Sequence, residues 1–411
     1  MTPEGWRSSK IGKIAEGITS GSRGWAAYYA DSGSPFIRIT NLRRTSIFPD
    51  YGPMKYVALP DGSNEGRRTE LRQGDILVSI TADLGVIGYI ESRPETPSYI
   101  SQHIARVRIK SGAADPRFIA YQLAAPRHAQ IIERLNDAGA KAGLNLPTIA
   151  SIPVLLPSLA EQRLIAETLH TWDRAIETVE ALIANARAQK RALMQQLLDG
   201  KHRLPGFSGE WQRKPINEIA TRITRRNDGT DLPVLTISST SGFVRQDEKY
   251  SRFMAGKSVD TYIMLNEGEF AYNKGNSKTY EFGCIFDLEG YARALVPHVY
   301  VCFKLKKGYS HRFYKALFEA DYLAPQLGQL VNTGVRNNGL LNIKPSEFLG
   351  TKVPVPPIDE QDAIAAVMEA ASRTVIEHEA QLTALRQEKA ALMQQLLTGK
   401  RRVKLPEGEV A

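Results

Sequence analysis

The ten residues Ala192–Lys201, "ALMQQLLDGK", return as "ALMQQLLTGK" at Ala391–Lys400, 199 positions later, with nine of the ten letters unchanged. Such a repeat is either one helix used twice or a whole domain used twice, so its extent decides the fold. Upstream of the first copy lies "IPVLLPSLAEQRLIAETL" (Ile152–Leu169), and upstream of the second "KVPVPPIDEQDAIAAVM" (Lys352–Met368). Glu161-Gln162 therefore stands opposite Glu360-Gln361 at the same offset. Further back the offset drifts, yet "DAGAKAGLNLP" faces "NTGVRNNGLLNIKP" and "LRQGDIL" faces "LNEGEFA". Likewise "SQHIARVRI" faces "VPHVYVCFKL", which sets His103 opposite His298. Each of these histidines is expected to be a hydrogen-bonded structural residue at the start of an apolar strand. Trp6–Ala15 answers Trp211–Ala220 in the same way. The whole 411-residue chain is doubled, closely in its helical parts and loosely elsewhere.

The closely matched parts predict long helices. Apolar positions step by four and three from Ile165 through Leu169, Trp172, Ile176, Val179 and Ile183 to Leu193 and Leu197. The matching series runs from Ile364 through Met368, Val375 and Leu385 to Leu392 and Leu396. A seam sustained over about four and a half heptads predicts a coiled coil. Each helix follows a proline-rich stop and closes at a glycine, Gly200 or Gly399. Two such helices in one chain pair most simply antiparallel. The loosely matched parts carry short β-rich runs between Gly, Pro, Ser and Asn turns, then a helical stretch broken at Pro126 or Pro325. The expected class is α+β: two mixed α/β domains joined by two long antiparallel coiled-coil helices in a pseudo-twofold repeat. The expected boundaries are 1–156, 157–202, 203–355 and 356–411.

Two cysteines, Cys284 and Cys302, form no CxxC pair, which argues against a disulfide framework or structural zinc and fits a reducing cytoplasm. No apolar run spans a membrane, and the opening MTPEGWRSSK has no secretory core, so neither membrane nor export is expected. No GxGxxG, HExxH or GxSxG occurs, and Ala255–Ser258 lacks the first glycine of a phosphate loop. An Asn-Pro-Pro-aromatic motif for adenine methylation is also missing. The reading is therefore of a non-catalytic protein with no cofactor of its own.

The net charge of +9 favours a polyanionic partner. Polar, basic, glycine-bearing loops sit at four matched places in each half, and their side chains are those that read base edges and grip phosphate. In the first half they offer Arg23, then Arg38, Thr40 and Asn41, then Thr81, then Lys141. In the second they offer Arg222, Arg225, Arg226 and Asn227, then Ser238 and Ser239. The third loop there adds Asn273, Lys274, Asn276, Ser277, Lys278 and Tyr280, and the fourth Arg336 and Asn337. The letters differ between the halves. Two half-sites of different sequence require such divergence, and two identical structural modules do not.

"GLNLPTIASIPVLLPSLAEQRLIAETL" and "GLLNIKPSEFLGTKVPVPPIDEQDAIAAVM", each leading into a helix that ends ALMQQLL-x-GK, resemble the specificity subunits of type I restriction–modification systems. The strand signatures "LRQGDILVSI" and "LNEGEFAYN" belong to the same resemblance, which covers the whole chain. It implies two target-recognition domains, each reading half of a split double-stranded DNA site. It also implies two modification subunits that use S-adenosylmethionine, with restriction subunits where present. Glu161, Gln162, Glu360, Gln361, Leu193, Leu197, Leu392 and Leu396 are the expected helix and partner-docking residues. The competing readings are a duplicated coiled-coil adaptor that binds proteins and not DNA, and a self-sufficient nuclease or methyltransferase, which the missing motifs oppose.

Overall fold

A computed structural model describes residues 2–60, 66–81, 83–92, 94, 96–135, 143–249, 256–275, 277–331 and 341–405. It divides into two compact units, one of Met1–Glu180 with Ala380–Ala411, the other of Ala181–Glu379. Each unit thus owns one globule and one half of each long helix, Leu159–Leu197 and Ile358–Leu396. Both helices have 39 residues, about 58 Å at 1.5 Å per residue.

In the first unit, Arg7–Lys10 pairs antiparallel with Pro153–Leu156, so the globule's first and last strands close on each other just before the long helix begins. Between them lies an antiparallel sheet in the order Ala15–Ser20, Ile104–Ile109, Ile76–Ser79, Ile87–Tyr89. Its inner strands read as unbroken buried runs because the sheet is covered on both faces. A second sheet runs Tyr29–Ala30, Lys55–Val57, Ser34–Ile37, Tyr99–Ile100, its last pair parallel. Helices Pro116–Ala124 and Pro126–Leu135 follow, parted at the expected proline. Asp115 caps the first of them, its carboxylate accepting Phe118 N–H at 2.8 Å with Pro116 at the first helical position.

The second unit repeats the plan. Gln212–Pro215 pairs with Lys352–Val355, and the main sheet runs Ala220–Ile223, Val301–Leu305, Phe270–Asn273, Cys284–Asp287. Leu235–Ser238 and Gly242–Arg245 form a hairpin, and Ile263–Asn266 pairs with Arg293–Val296. Its core is more aromatic: Phe270 stacks on Phe303 at 5.4 Å and Tyr272 on Phe348 at 4.2 Å. Burial pushes the Cys302 thiol up to about 12, so it packs as a small apolar side chain.

The Gly-Asp and Gly-Glu strand signatures are turn locks. Gly74 and Gly268 sit at φ +86° and +78°, a region open to glycine. The buried Asp75 carboxylate then accepts Arg72 N–H at 2.7 Å and pairs with Arg108. Glu269 accepts Asn266 N–H at 2.8 Å and pairs with Arg225.

Within the first unit the helix halves run in opposite directions, with Asp173 ion-paired to Lys389 and Glu180 to Arg386. The second unit has the matching pair Arg187–Glu379 at 2.5 Å. Along the second long helix Ile376, outside the apolar series, is 63% exposed, while Lys389, which the same series includes, is buried on Asp173. No helix among the described residues is long and apolar enough to cross a membrane.

Candidate nucleic-acid interface

In the first globule three of the polar loops meet on one turn that the loop reading passed over, and Gly143, the described end of the fourth, lies beside the third. That turn is Ser101–Ile104, closed by Ile104 N–H on Ser101 O at 3.0 Å. The loop at Thr19–Tyr29 lies against it, where a Cβ on Gly21 would come 2.4 Å from Ser101 O. Ser101 N–H donates to Ile37 O at 2.9 Å, tying in the Ile37–Asn41 segment. Ile80 N–H donates to His103 O at 2.9 Å, and Leu144 N–H to Ile80 O at 2.9 Å, tying in the third loop and the end of the fourth. Thr81 bridges to Gly143 beside them.

The nominated side chains in this globule separate into outward and inward groups. Arg23 and Thr40 are exposed. Arg38 is half-buried, donating to Pro53 O at 3.3 Å. Asn41 is wholly buried: its carbonyl accepts Arg38 N–H at 2.9 Å and its amide donates to Asp50 O at 2.8 Å. That side chain holds the loop and has no face left for a base. Thr81 Oγ1 lies 2.5 Å from His103 Nδ1, and Gln102 Nε2 lies 3.2 Å from His103 Nε2. Lys141 is outside the described residues.

In the second globule the matching turn is Pro297–Tyr300, closed by Tyr300 N–H on Pro297 O at 3.0 Å. The strand ladders place Ala105 opposite Val78 and Val301 opposite Tyr272, so His298 corresponds to Gln102 and exposed Val299 to His103. The pairing of His103 with His298 is corrected by one residue. Matching the two histidine letters overrode the turn geometry that fixes the backbone. The buried Tyr300 hydroxyl accepts Ile237 N–H at 3.2 Å and lies 3.0 Å from Thr236 Oγ1, anchoring the hairpin that carries Ser238 and Ser239. Leu341 N–H donates to Lys274 O at 3.0 Å, as Leu144 does to Ile80 in the first globule.

Arg222, Arg226 and Lys278 are exposed cations there. Arg225 is engaged with the buried Glu269 carboxylate at 2.6 Å. Asn227, Asn273 and Ser277 brace their own turns, accepting N–H from Gly229, Gly275 and Tyr280 at 3.2, 3.0 and 3.0 Å. Ser238 and Ser239 are half-buried, Ser238 Oγ lying 3.2 Å from Thr240 Oγ1. Tyr280 is half-buried, its hydroxyl donating to Glu319 O at 3.3 Å, and burial pushes its phenol up to about 12. Asn276, Arg336 and Asn337 lie outside the described residues.

The nominated docking residues are internal. Gln162 accepts Asp115 N–H and donates to Pro157 O, both at 2.9 Å. Gln361 repeats this with Ser310 N–H at 2.9 Å and Pro356 O at 2.8 Å. Buried Glu161 takes both prongs of Arg402 at 2.6 and 2.7 Å. Buried Glu360 takes both prongs of Arg203 at 2.6 Å and Trp211 Nε1–H at 3.0 Å. Leu197 and Leu396 are buried in the cores, with Leu193 and Leu392 packed against them. All eight root the helices to the globules, six of them buried and Leu193 and Leu392 half-buried. Among the described residues no group of three His, Cys, Asp or Glu side chains could hold a metal.

Residues 3–186 match the family description "Type I restriction modification DNA specificity domain". The type I restriction enzyme MjaVIII specificity subunit of Methanocaldococcus jannaschii is 24% identical over 213 residues, 50% of this chain and 48% of that one. That match spans about half the length of either protein. The putative type I restriction enzyme MjaX specificity subunit of the same organism is 24% identical over 438 residues, covering 98% of this chain and 95% of that one. The fold is shared with the crystal structure of the S subunit of a type I restriction–modification system from M. genitalium. That likeness has a TM-score of 0.57 and 13% identity, over 95% of this chain and 96% of that one.

Proposed function

The chain belongs to the type I restriction–modification DNA specificity family, and from that premise we propose that it is the non-catalytic DNA-reading subunit of such a complex. Each globule reads one half of a split duplex site. The observation that carries this is the meeting, in the first globule, of three polar loops on a single strand turn, with different side chains on the matching turn of the second. Exposed cations beside the turns grip phosphate, which positions the protein without reading sequence. The helices pair as an antiparallel coiled coil related by a pseudo-twofold repeat and set the gap between the half-sites. Their outward faces dock two modification subunits that methylate adenine from S-adenosylmethionine, with restriction subunits joining where present.

The test is co-expression with a modification subunit, followed by methylation-aware sequencing of the host DNA. The wild-type chain yields one split motif, and replacing residues 1–156 by those of another specificity subunit changes one half of it. Lys278→Ala weakens binding evenly across sequences and lowers the salt dependence by about one released counterion. Both halves changing together would sink the assignment of one globule to one half-site. Complex formation without any motif would favour the protein-binding adaptor.

A further inference from the structure

The turn on which the first globule's loops converge carries two exposed side chains, Gln102 and His103, that neither composition nor the loop pattern singled out. They form a relay with Thr81. The amide nitrogen of Gln102 donates to His103 Nε2 at 3.2 Å. With Nε2 accepting, the ring proton sits on Nδ1 and is directed to Thr81 Oγ1, 2.5 Å away. Thr81 is held in turn by its bridge to Gly143, and His103 by its carbonyl, which accepts Ile80 N–H at 2.9 Å. An exposed glutamine ordinarily samples many rotamers. This one has its amide plane fixed by a neighbour that is itself fixed twice.

Gln102 then keeps one amide N–H and its carbonyl oxygen for solvent or ligand. Those two groups, side by side in one plane, are what the major-groove edge of adenine requires: a donor to N7 and an acceptor for the N6 amino group. We propose that Gln102 reads an adenine in the half-site of the first globule, with His103 and Thr81 as its positioning residues. The proposal rests on the DNA-reading function above and names one of its contacts. Val299 takes the place of His103 in the second globule and cannot relay a hydrogen bond, so His298 stands there without this device.

The experiment is selection from a randomised duplex library by the chain complexed with its modification subunit, for the wild type and three variants. Gln102→Ala relaxes one adenine position of one half-site, with discrimination there falling about 10- to 100-fold. The remaining positions and the other half-site stay as they were. Gln102→Glu, an acceptor only, moves the preference at that position towards cytosine, whose N4 amino group donates. His103→Ala relaxes the same position by a smaller factor, because the amide is still present but no longer held. Unchanged selectivity in Gln102→Ala overturns the proposal, as does relaxation at a position other than adenine. Retention of the second half-site in each variant shows that the chain is folded. A wild-type complex that selects no motif overturns both the proposal and the function beneath it, whereas an intact wild-type motif with an unaltered Gln102→Ala motif overturns the proposal alone.

Discussion

The two units are most alike where the long helices root in the globules and least alike where their polar loops gather. At the helix roots, Gln162 and Gln361 make the same two bonds to equivalent backbone atoms. At the turns, Ser-Gln-His stands against Pro-His-Val. A duplicated scaffold is constrained by its own packing in both copies, so its chemistry persists. On the function proposed above, each turn answers to its own half-site, which accounts for different side chains on a matching backbone. The comparison has a second layer, because even the roots are unequal in strength. Glu360 accepts three bonds, from an arginine only 17% exposed and from Trp211. Glu161 accepts two from an arginine that is 50% exposed, and Trp6, at the place of Trp211, buries its Nε1 without a partner.

The largest effect expected from that inequality is on stability. Glu360→Ala leaves an indole N–H without its acceptor and the Arg203 guanidinium with only the Ser208 and Gly209 carbonyls, and should cost about 3 kcal/mol. Glu161→Ala leaves the half-exposed Arg402 on the Glu4 carbonyl and water, and should cost about 1–2 kcal/mol. Hydrogen exchange read separately in the two helix roots checks this, since the units need not unfold together. Equal losses would mean that the exposure of the arginine has no influence on the lock.

The units also differ one step along the helices. In the first, Asp173 is buried, accepts the Tyr121 hydroxyl at 2.6 Å and pairs with buried Lys389. In the second, Ser372 occupies the Asp173 position and bonds its own helix at Met368 O, while Lys190 lies 3.7 Å from Glu319. Lys389→Met should therefore cost about 3 kcal/mol, because it leaves a buried carboxylate uncompensated. Lys190→Met should cost less than about 1 kcal/mol. Adding Asp173→Asn to Lys389→Met should recover most of the loss, since the amide still accepts from Tyr121 without a buried charge. If the double variant is as unstable as the single one, the ion pair is not what Lys389 contributes.

These contrasts show what the sequence could convey. The doubling, the helix ends at Gly200 and Gly399 and the glycine turns before Asp75 and Glu269 are local patterns, and local patterns survive in one dimension. The Glu-Gln pairs were visible as a repeat, but not as internal locks. Arg402 lies 241 residues from Glu161 and Arg203 lies 157 from Glu360, so their pairing exists only in the fold. Asn41 looked like a base reader because burial has no letter. The turn at Gln102 was hidden for a related reason: the loops that define it as a centre arrive from three separate parts of the chain.

The smallest effect separates the units by pH. The first passes between its two consecutive helices through the single neutral residue Ala125, in extended backbone. The second uses a longer break containing Asp321, at φ +54°, a conformation that aspartate and asparagine tolerate better than most residues. Burial pushes the Asp321 carboxyl up to about 6. An unfolded aspartate titrates near 3.9, so between about pH 4 and 6 the folded unit holds a proton that the unfolded chain has released. The resulting stability is fully present below about pH 4 and is lost as pH rises through about 6. The carboxyl is only partly buried, so solvent screening holds the effect to roughly 1 kcal/mol. Asp321→Asn keeps the backbone preference and removes the titration. It should leave the second unit unchanged near pH 4 and stabilise it by about 1 kcal/mol at pH 7.5, with the first unit unaffected at both. Hydrogen exchange across Ala324–Leu330 at the two pH values reads this directly. A gain of the same size at both would trace it to the backbone and not to the buried charge.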